Sequence, residues 1–99
     1  MLTAIRSGKI LLPERTDFME LENTIELMQS TDYKDRFKAE YYQLTERYKK
    51  LKEMLEKWNK GELNFTPDSP MTFYNMQIKA MTDYKTALEL RAEVEDIKL

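Results

Sequence analysis

The clearest pattern along the 99 residues lies in the middle of the chain. Phe37, Tyr41, Leu44, Tyr48, Leu51, Leu55 and Trp58 follow one another at alternating intervals of four and three. Such a sustained heptad seam is the period of a helix that packs nearly parallel to a partner along its whole length. Thr31 can cap its start, with Asp32 and Asp35 in the first turn, where carboxylates complement the helix dipole. Lys57, Lys60 and Gly61 mark its end, cations in the last turn followed by a residue free to turn left-handed. The predicted helix, residues 32–60, would be about 43 Å long at ~1.5 Å per residue.

Pro67, Asp68 and Pro70 make residues 61–70 a loop. Ser69 then reads as a helix N-cap with Pro70 at the first helical position. The pattern predicts a third helix over 70–97, similar in length to the middle one and folded back antiparallel against it. This last helix carries two apolar stripes. Tyr74, Ile78, Met81 and Leu88 form one; Phe73, Ala80, Tyr84, Ala87 and Val94 form the other. One stripe can face the middle helix, and the other needs a different partner.

Toward the N-terminus, Asp17 and Glu20 are spaced as a capping pair, and Phe18, Leu21, Ile25 and Met28 repeat at three, four and three. They predict a short helix over 17–29. Residues 1–15, with Gly8 and Pro13, read as an arm in which Ile10, Leu11 and Leu12 lie extended or dock on a neighbour. The expected fold is all-α, in one domain over 16–99: a long antiparallel helical hairpin plus a short N-terminal helix. The short helix covers about half of the hairpin. Large apolar side chains left exposed each forgo about 1.5–3 kcal/mol, so a homo-oligomeric helical bundle is expected.

Composition narrows the chemistry. With no cysteine and no histidine, disulfides, thiolate metal sites and Ser-His or Cys-His nucleophilic pairs are all excluded. No enzyme activity, metal or cofactor is expected. No apolar run approaches the ~20 residues of a membrane span, and Ile10 to Leu12 is too short for a secretory core, so neither a membrane partner nor export is expected. The net charge of −2 is unevenly spread, with nine bases and six acids in residues 31–60. A solvated face of mixed ion pairs accounts for that excess, and so does attraction of a small anion.

Two constellations go beyond packing. Tyr33, Arg36, Lys38, Tyr41 and Tyr42 gather aromatic rings and cations at the start of the middle helix. Tyr41 falls on the seam and Tyr42 points away from it. They are either half-buried interface residues or a stacking platform suited to a base and its phosphate. Gln77, Tyr84 and Arg91 recur every seven residues on the last helix. An arginine placed in a helix contact needs an anion, whether a glutamate or a ligand.

The run from Glu40 through Tyr41, Tyr42, Leu44, Arg47, Tyr48 and Lys50 to Leu51, then Gln77-Ile78-Lys79-Ala80-Met81, Tyr84, Leu88 and Arg91, resembles a family of small phage proteins. That family includes the anti-CBASS cyclic-oligonucleotide sponge, and the resemblance spans residues 32–94. It implies a compact helical protein assembled as a hexamer from interlocked trimers. Such a protein sequesters, without cleaving, the cyclic di- or trinucleotides of bacterial antiviral signalling, in the cytoplasm of the bacterial host. By position, Tyr41 matches the family's base-stacking tyrosine and Tyr42 a neighbouring polar contact. Arg91 matches an arginine that meets phosphate or base in an inter-subunit pocket, and Lys57 the phosphate-binding lysine near the end of the long helix. The alternative is a helical adaptor or inhibitor that binds a host protein through exposed aromatics. A DNA-binding helix-turn-helix fits poorly, because the basic helix is seam-patterned and the chain is net acidic.

Overall fold

The computed structural model describes residues 5–6, 9–10 and 20–99. Two two-residue strands, β1 (Ile5–Arg6) and β2 (Lys9–Ile10), pair antiparallel with Ile5 opposite Ile10. The rest of the regular structure is helical. A 3₁₀ turn over Leu21–Thr24 runs into α1 (Ile25–Met28), followed by α2 (Tyr33–Asn59) and α3 (Met71–Val94). Asp17, Phe18 and most of the expected arm lie outside the described residues.

Each helix boundary has a local cause. The first helical turn begins at Glu20, which forms a capping box with Asn23. At α2 the cap is Asp32, not Thr31. The Asp32 carboxylate accepts the Lys34 backbone N–H at 2.9 Å, while its own N–H donates to Ser30 Oγ, which in turn donates to Asp35. The Asp32 carboxylate thus satisfies an orphan donor of the first turn, while the bond from its own N–H to Ser30 fixes the backbone that places it there. At its other end Gly61 takes φ +71°, so Gly61 donates to Trp58 O and Glu62 to Lys57 O, the paired bonds of a Schellman turn. The third helix starts one residue later than expected. Pro70 is the N-cap itself, with extended ψ of 149°, and its carbonyl accepts from Phe73.

The last helix also stops short of residue 97. Asp96 turns left-handed (φ 57°), Ile97 N–H returns to Ala92 O at 2.8 Å, and the Ile97 side chain is buried. Burial of one isoleucine, together with two satisfied carbonyls, offsets the left-handed strain of a non-glycine residue.

The seam expected from the heptads is where α2 meets α3. Contacts across it run in reverse order: Tyr33 with Glu95, Tyr41 with Glu89, Trp58 edge-on to Tyr74. Phe37, Leu44, Leu88, Ala92 and Ile97 form the core there, with Tyr41 and Met81 packed against it. A second cluster lies on another side of α2, where Leu27, Ala39 and Tyr42 pack together and Tyr41 touches both clusters.

That second cluster corrects the reading of the N-terminal helix. Ile25 and Met28, expected on its buried face, are about half exposed, whereas Thr24 and Leu27 are buried. The 3₁₀ turn advances by a third of a turn per residue, so Leu21 and Thr24 eclipse and the contact face rotates off the α-helical stripe. Thr24 stays satisfied inside the contact: its hydroxyl donates to Leu21 O at 2.6 Å and accepts from Gln43 Nε2 at 2.8 Å.

Candidate functional site

The N-terminal half of α2 and the C-terminal half of α3 bring aromatic rings, cations and carboxylates together. Arg91 sits over the Phe37 ring, 4.9 Å from its centroid, and donates through Nε to Glu95 at 3.1 Å. Tyr33 closes this group by donating to Glu95 at 2.8 Å and accepting from Arg91. One turn further along α2, Tyr41 donates to Glu89 at 2.6 Å, and Lys85 pairs with the same carboxylate at 2.9 Å. The Lys85 ammonium also lies 5.8 Å from the centre of the Tyr41 ring. Beyond it, Tyr84 donates to Glu40.

The titration behaviour follows from those contacts. Hydrogen bonds from Tyr33 and Arg91 hold the Glu95 carboxyl below its ordinary value, as those from Tyr41 and Lys85 do for Glu89. The phenols move the other way. Tyr33 is raised by its bond to Glu95, and Tyr41 by burial and its bond to Glu89. At neutral pH the cluster therefore holds two anions, two cations and two neutral phenols in contact. It can stack a flat ring and pair with an anion; it offers no free base.

The residues singled out in the sequence fall in three places. Tyr41 is half-buried between both core clusters, and Arg91 is exposed in the same end of the helix pair. Tyr42, expected to point away from the seam, does so, but only 2% of it is exposed because the 3₁₀ turn and α1 cover it. Its ring meets Tyr41 edge-on at 5.8 Å, so it supports the neighbouring ring instead of facing solvent. Lys57 is sixteen residues beyond Tyr41 on one straight helix, about 24 Å away at ~1.5 Å per residue. It lines a separate cleft of about 470 Å³ with Lys50, Met54, Asn64 and Phe65. Of the other candidates, Gln77 and Tyr84 are exposed, and Arg36 donates to Ser30 O, closing the turn ahead of α2.

Glu89, Glu95 and Lys85 were not singled out by pattern. Their signal was present in the i,i+4 spacings Lys85–Glu89 and Arg91–Glu95, which stabilise a helix face and are common enough to pass as solvated pairs. Among the described residues no group of acids is placed to hold a metal ion, and no helix is long and apolar enough to cross a membrane.

The family model described as Sequestin matches residues 31–94, which are α2, the loop and α3. The chain belongs to the Sequestin family. This is the family of phage anti-CBASS sponges that the tyrosine, lysine and arginine pattern resembles, and it is a binding and sequestering family, not a catalytic one. The Sequestin match takes in α2, α3 and every residue of their cluster except Glu95, and leaves the 3₁₀ turn and α1 outside it. No curated protein and no solved structure matches the chain.

Proposed function

We infer that this Sequestin-family protein is a non-catalytic sponge, which sequesters cyclic di- or trinucleotide second messengers of bacterial antiviral signalling in the cytoplasm of the bacterial host. The observation that carries this reading is the family match over α2 and α3 taken with the cluster it encloses: the Tyr41 ring flanked by Lys85, and Arg91 over Phe37. A base stacks on Tyr41, which Tyr42 braces from beneath, and a phosphate pairs with Arg91. Lys57 cannot reach the same ligand within one chain, so its phosphate contact comes from a neighbouring copy. The site therefore belongs to a homo-oligomer, of the hexameric kind the family resemblance implies, in which the antiparallel α2–α3 hairpin is the repeating unit.

A panel of cyclic di- and trinucleotides, read by thermal shift, tests this directly. A ligand at a hundred times its Kd adds about 2.7 kcal/mol to the folded state, so a true ligand raises Tm by about 10–20 °C. Tyr41→Ala and Arg91→Ala are expected to abolish the shift. After denaturation the bound nucleotide should be recovered intact. A flat panel rejects the ligand class, and a cleaved product rejects the non-catalytic mechanism. The second reading, an adaptor or inhibitor of a host protein, is favoured by the exposed Phe73, Met76 and Leu90. On that reading the same two substitutions weaken a protein complex and no nucleotide response exists.

A further inference from the structure

Arg91 is not a free cation. Its Nε–H donates to Glu95 at 3.1 Å and its Nη2–H to the Tyr33 hydroxyl, which itself donates to Glu95 at 2.8 Å. Those two N–H groups make up one edge of the guanidinium fork, and the Phe37 ring lies 4.9 Å from its carbon. The outward edge, Nη1 with the second Nη2 hydrogen, is what remains for a ligand, and half of the side chain is exposed. A second carboxylate, Glu40, which accepts from Tyr84, adds its field to the same guanidinium. We propose that Glu95, with Glu40 behind it, is the specificity-determining residue of this site: it makes Arg91 take phosphodiesters in preference to phosphate monoesters. This deepens the sponge reading, on which it rests only for the larger ligand that carries the ester.

The selection is a matter of charge balance. A phosphodiester carries a single negative charge, whereas a terminal monoester carries about −1.5 to −2 at neutral pH, with a second pKa of about 6. A lone arginine favours the dianion, because Coulomb attraction scales with the charge of the ligand. Around Arg91 that attraction is cancelled. The carboxylates facing it are Glu95 at the end of its own helix and Glu40 on α2, and Lys34 of α2 is the further cation that acts on Glu95. Two cations and two carboxylates sum to zero, and the Tyr33 phenol stays neutral at pH 7. Lys85 leaves that sum unchanged, since Glu89 neutralises it at 2.9 Å. The first charge of an ester is still met by the outward N–H groups at contact distance. A second charge gains nothing from neutral surroundings and must still shed water.

Glu95 is held in place for that task. Tyr33 and Arg91 both donate to it, and their bonds keep its carboxyl below the ordinary value, so it stays ionised across the range in which a monoester titrates. A nucleotide ring closed through phosphodiesters has no terminal phosphate, whereas mononucleotides and opened, 5′-phosphorylated chains do. A carboxylate beside the arginine therefore turns away the common nucleoside phosphates of a cell by repelling their extra charge. Specificity is gained against the competitor, with no added contact to the ligand.

Dimethyl phosphate and methyl phosphate are the probes, titrated separately into the isotope-labelled full-length chain while the Arg91 Cζ resonance is followed by NMR. At about pH 7.5 the wild-type chain should bind the diester at least as tightly as the monoester. One unit of charge acting across about 6 Å of wet surface changes a binding ratio about 3- to 10-fold, so Glu95→Gln should shift the preference toward the monoester by that factor. Glu40→Gln should shift it the same way by less. Lowering the pH to about 5.5 protonates the monoester while Glu95 stays ionised. That step should tighten the monoester in the wild type and weaken it in Glu95→Gln, a reversal of sign that a loss of fold does not produce. A wild type that prefers the monoester, an unchanged ratio in Glu95→Gln, or no response of Arg91 to either ester overturns the proposal. Should Glu95→Gln lose helicity by circular dichroism, the wild-type pH response decides, since it involves no substitution. Cyclic di-adenylate and its linear 5′-phosphorylated form, run on the same samples by thermal shift, separate this role from the sponge reading. A flat response to both, with the small esters behaving as stated, rejects the sponge and leaves the role of Glu95 standing. Cyclic binding with a cyclic-to-linear ratio that Glu95→Gln leaves unchanged rejects the role and leaves the sponge standing.

Discussion

The two long faces of α3 have similar apolar content and opposite fates. Toward α2, Tyr74, Ile78, Met81, Leu88 and Ala92 are half-buried or buried; on the far side Phe73, Met76, Leu90 and Val94 stand in solvent. Both faces repeat in heptads. What separates them is the supply of partners within one chain, because α2 is one helix and already shares its sides between α3 and the 3₁₀–α1 segment. Hydrophobic periodicity therefore reports that a helix face is apolar enough to pack, not whether its own chain supplies a partner for it.

Substitution of one leucine from each face gives the sharpest break in that comparison. Leu88 is 1% exposed within the main core, so Leu88→Ala should cost about 2–5 kcal/mol, enough to threaten folding of so small a domain. Leu90, two residues on and 62% exposed, should cost no more than about 0.5 kcal/mol as Leu90→Ala when unfolding is followed in dilute solution. Urea midpoints measured at low and high protein concentration check both halves. Equal losses for the two leucines in dilute solution would mean that the outward face is already covered within one chain.

The contrast also shows which parts of the fold were legible. The seam from Phe37 to Trp58 could be read directly, because period and length agreed and Gly61 supplied an unambiguous stop. The N-terminal segment could not. A four-residue 3₁₀ turn changes the period from 3.6 to 3 over too few positions for a pattern to register, and with it the identity of the buried residues. Tyr42 illustrates the effect on the site. Its direction away from the seam was correct, but the segment that covers it starts at Leu21, twenty-one residues earlier, and no local spacing encodes that contact. The Tyr41–Glu89 and Tyr33–Glu95 bonds join positions 48 and 62 residues apart, so they required the helix pair itself.

The comparison sharpens at the C-terminal end of α3, where the inner face is closed by a turn and the outer face stays open. Ile97 is 6% exposed and reaches the core only because the chain reverses at Asp96. Ile97→Ala should cost about 2 kcal/mol, less than Leu88→Ala, since the site lies at the end of the domain and can partly collapse. Asp96→Gly should keep or slightly raise stability by relieving the left-handed backbone, with no effect on the outer seam. Paired denaturation curves test this. A loss on Asp96→Gly equal to that of Ile97→Ala would show that the Asp96 side chain, not the turn, holds Ile97 in place.

The smallest expected effect is that of pH on the polar border of the inner face. Glu89 and Glu95 have carboxyls held below their ordinary value of 4.5 in the folded chain, so the folded state binds protons less readily than the unfolded one. Their stabilisation is fully present above about pH 4.5 and is lost as pH falls through the depressed folded values. Tyr33 and Tyr41 are raised above 10.0, so their share is intact below that pH and is lost as pH rises through the folded values. The α2–α3 pairing should therefore show a stability plateau across neutral pH with a fall on each side. Because Glu89 and Tyr33 are solvent-exposed and Glu95 is only half-buried, screening keeps the effect small, and added salt should flatten the acid limb. A Glu89→Gln and Glu95→Gln double variant should unfold with a shallower acid limb than the wild type while leaving the mass of the assembly unchanged. An acid limb of equal slope in both would place the acid sensitivity outside these two carboxylates.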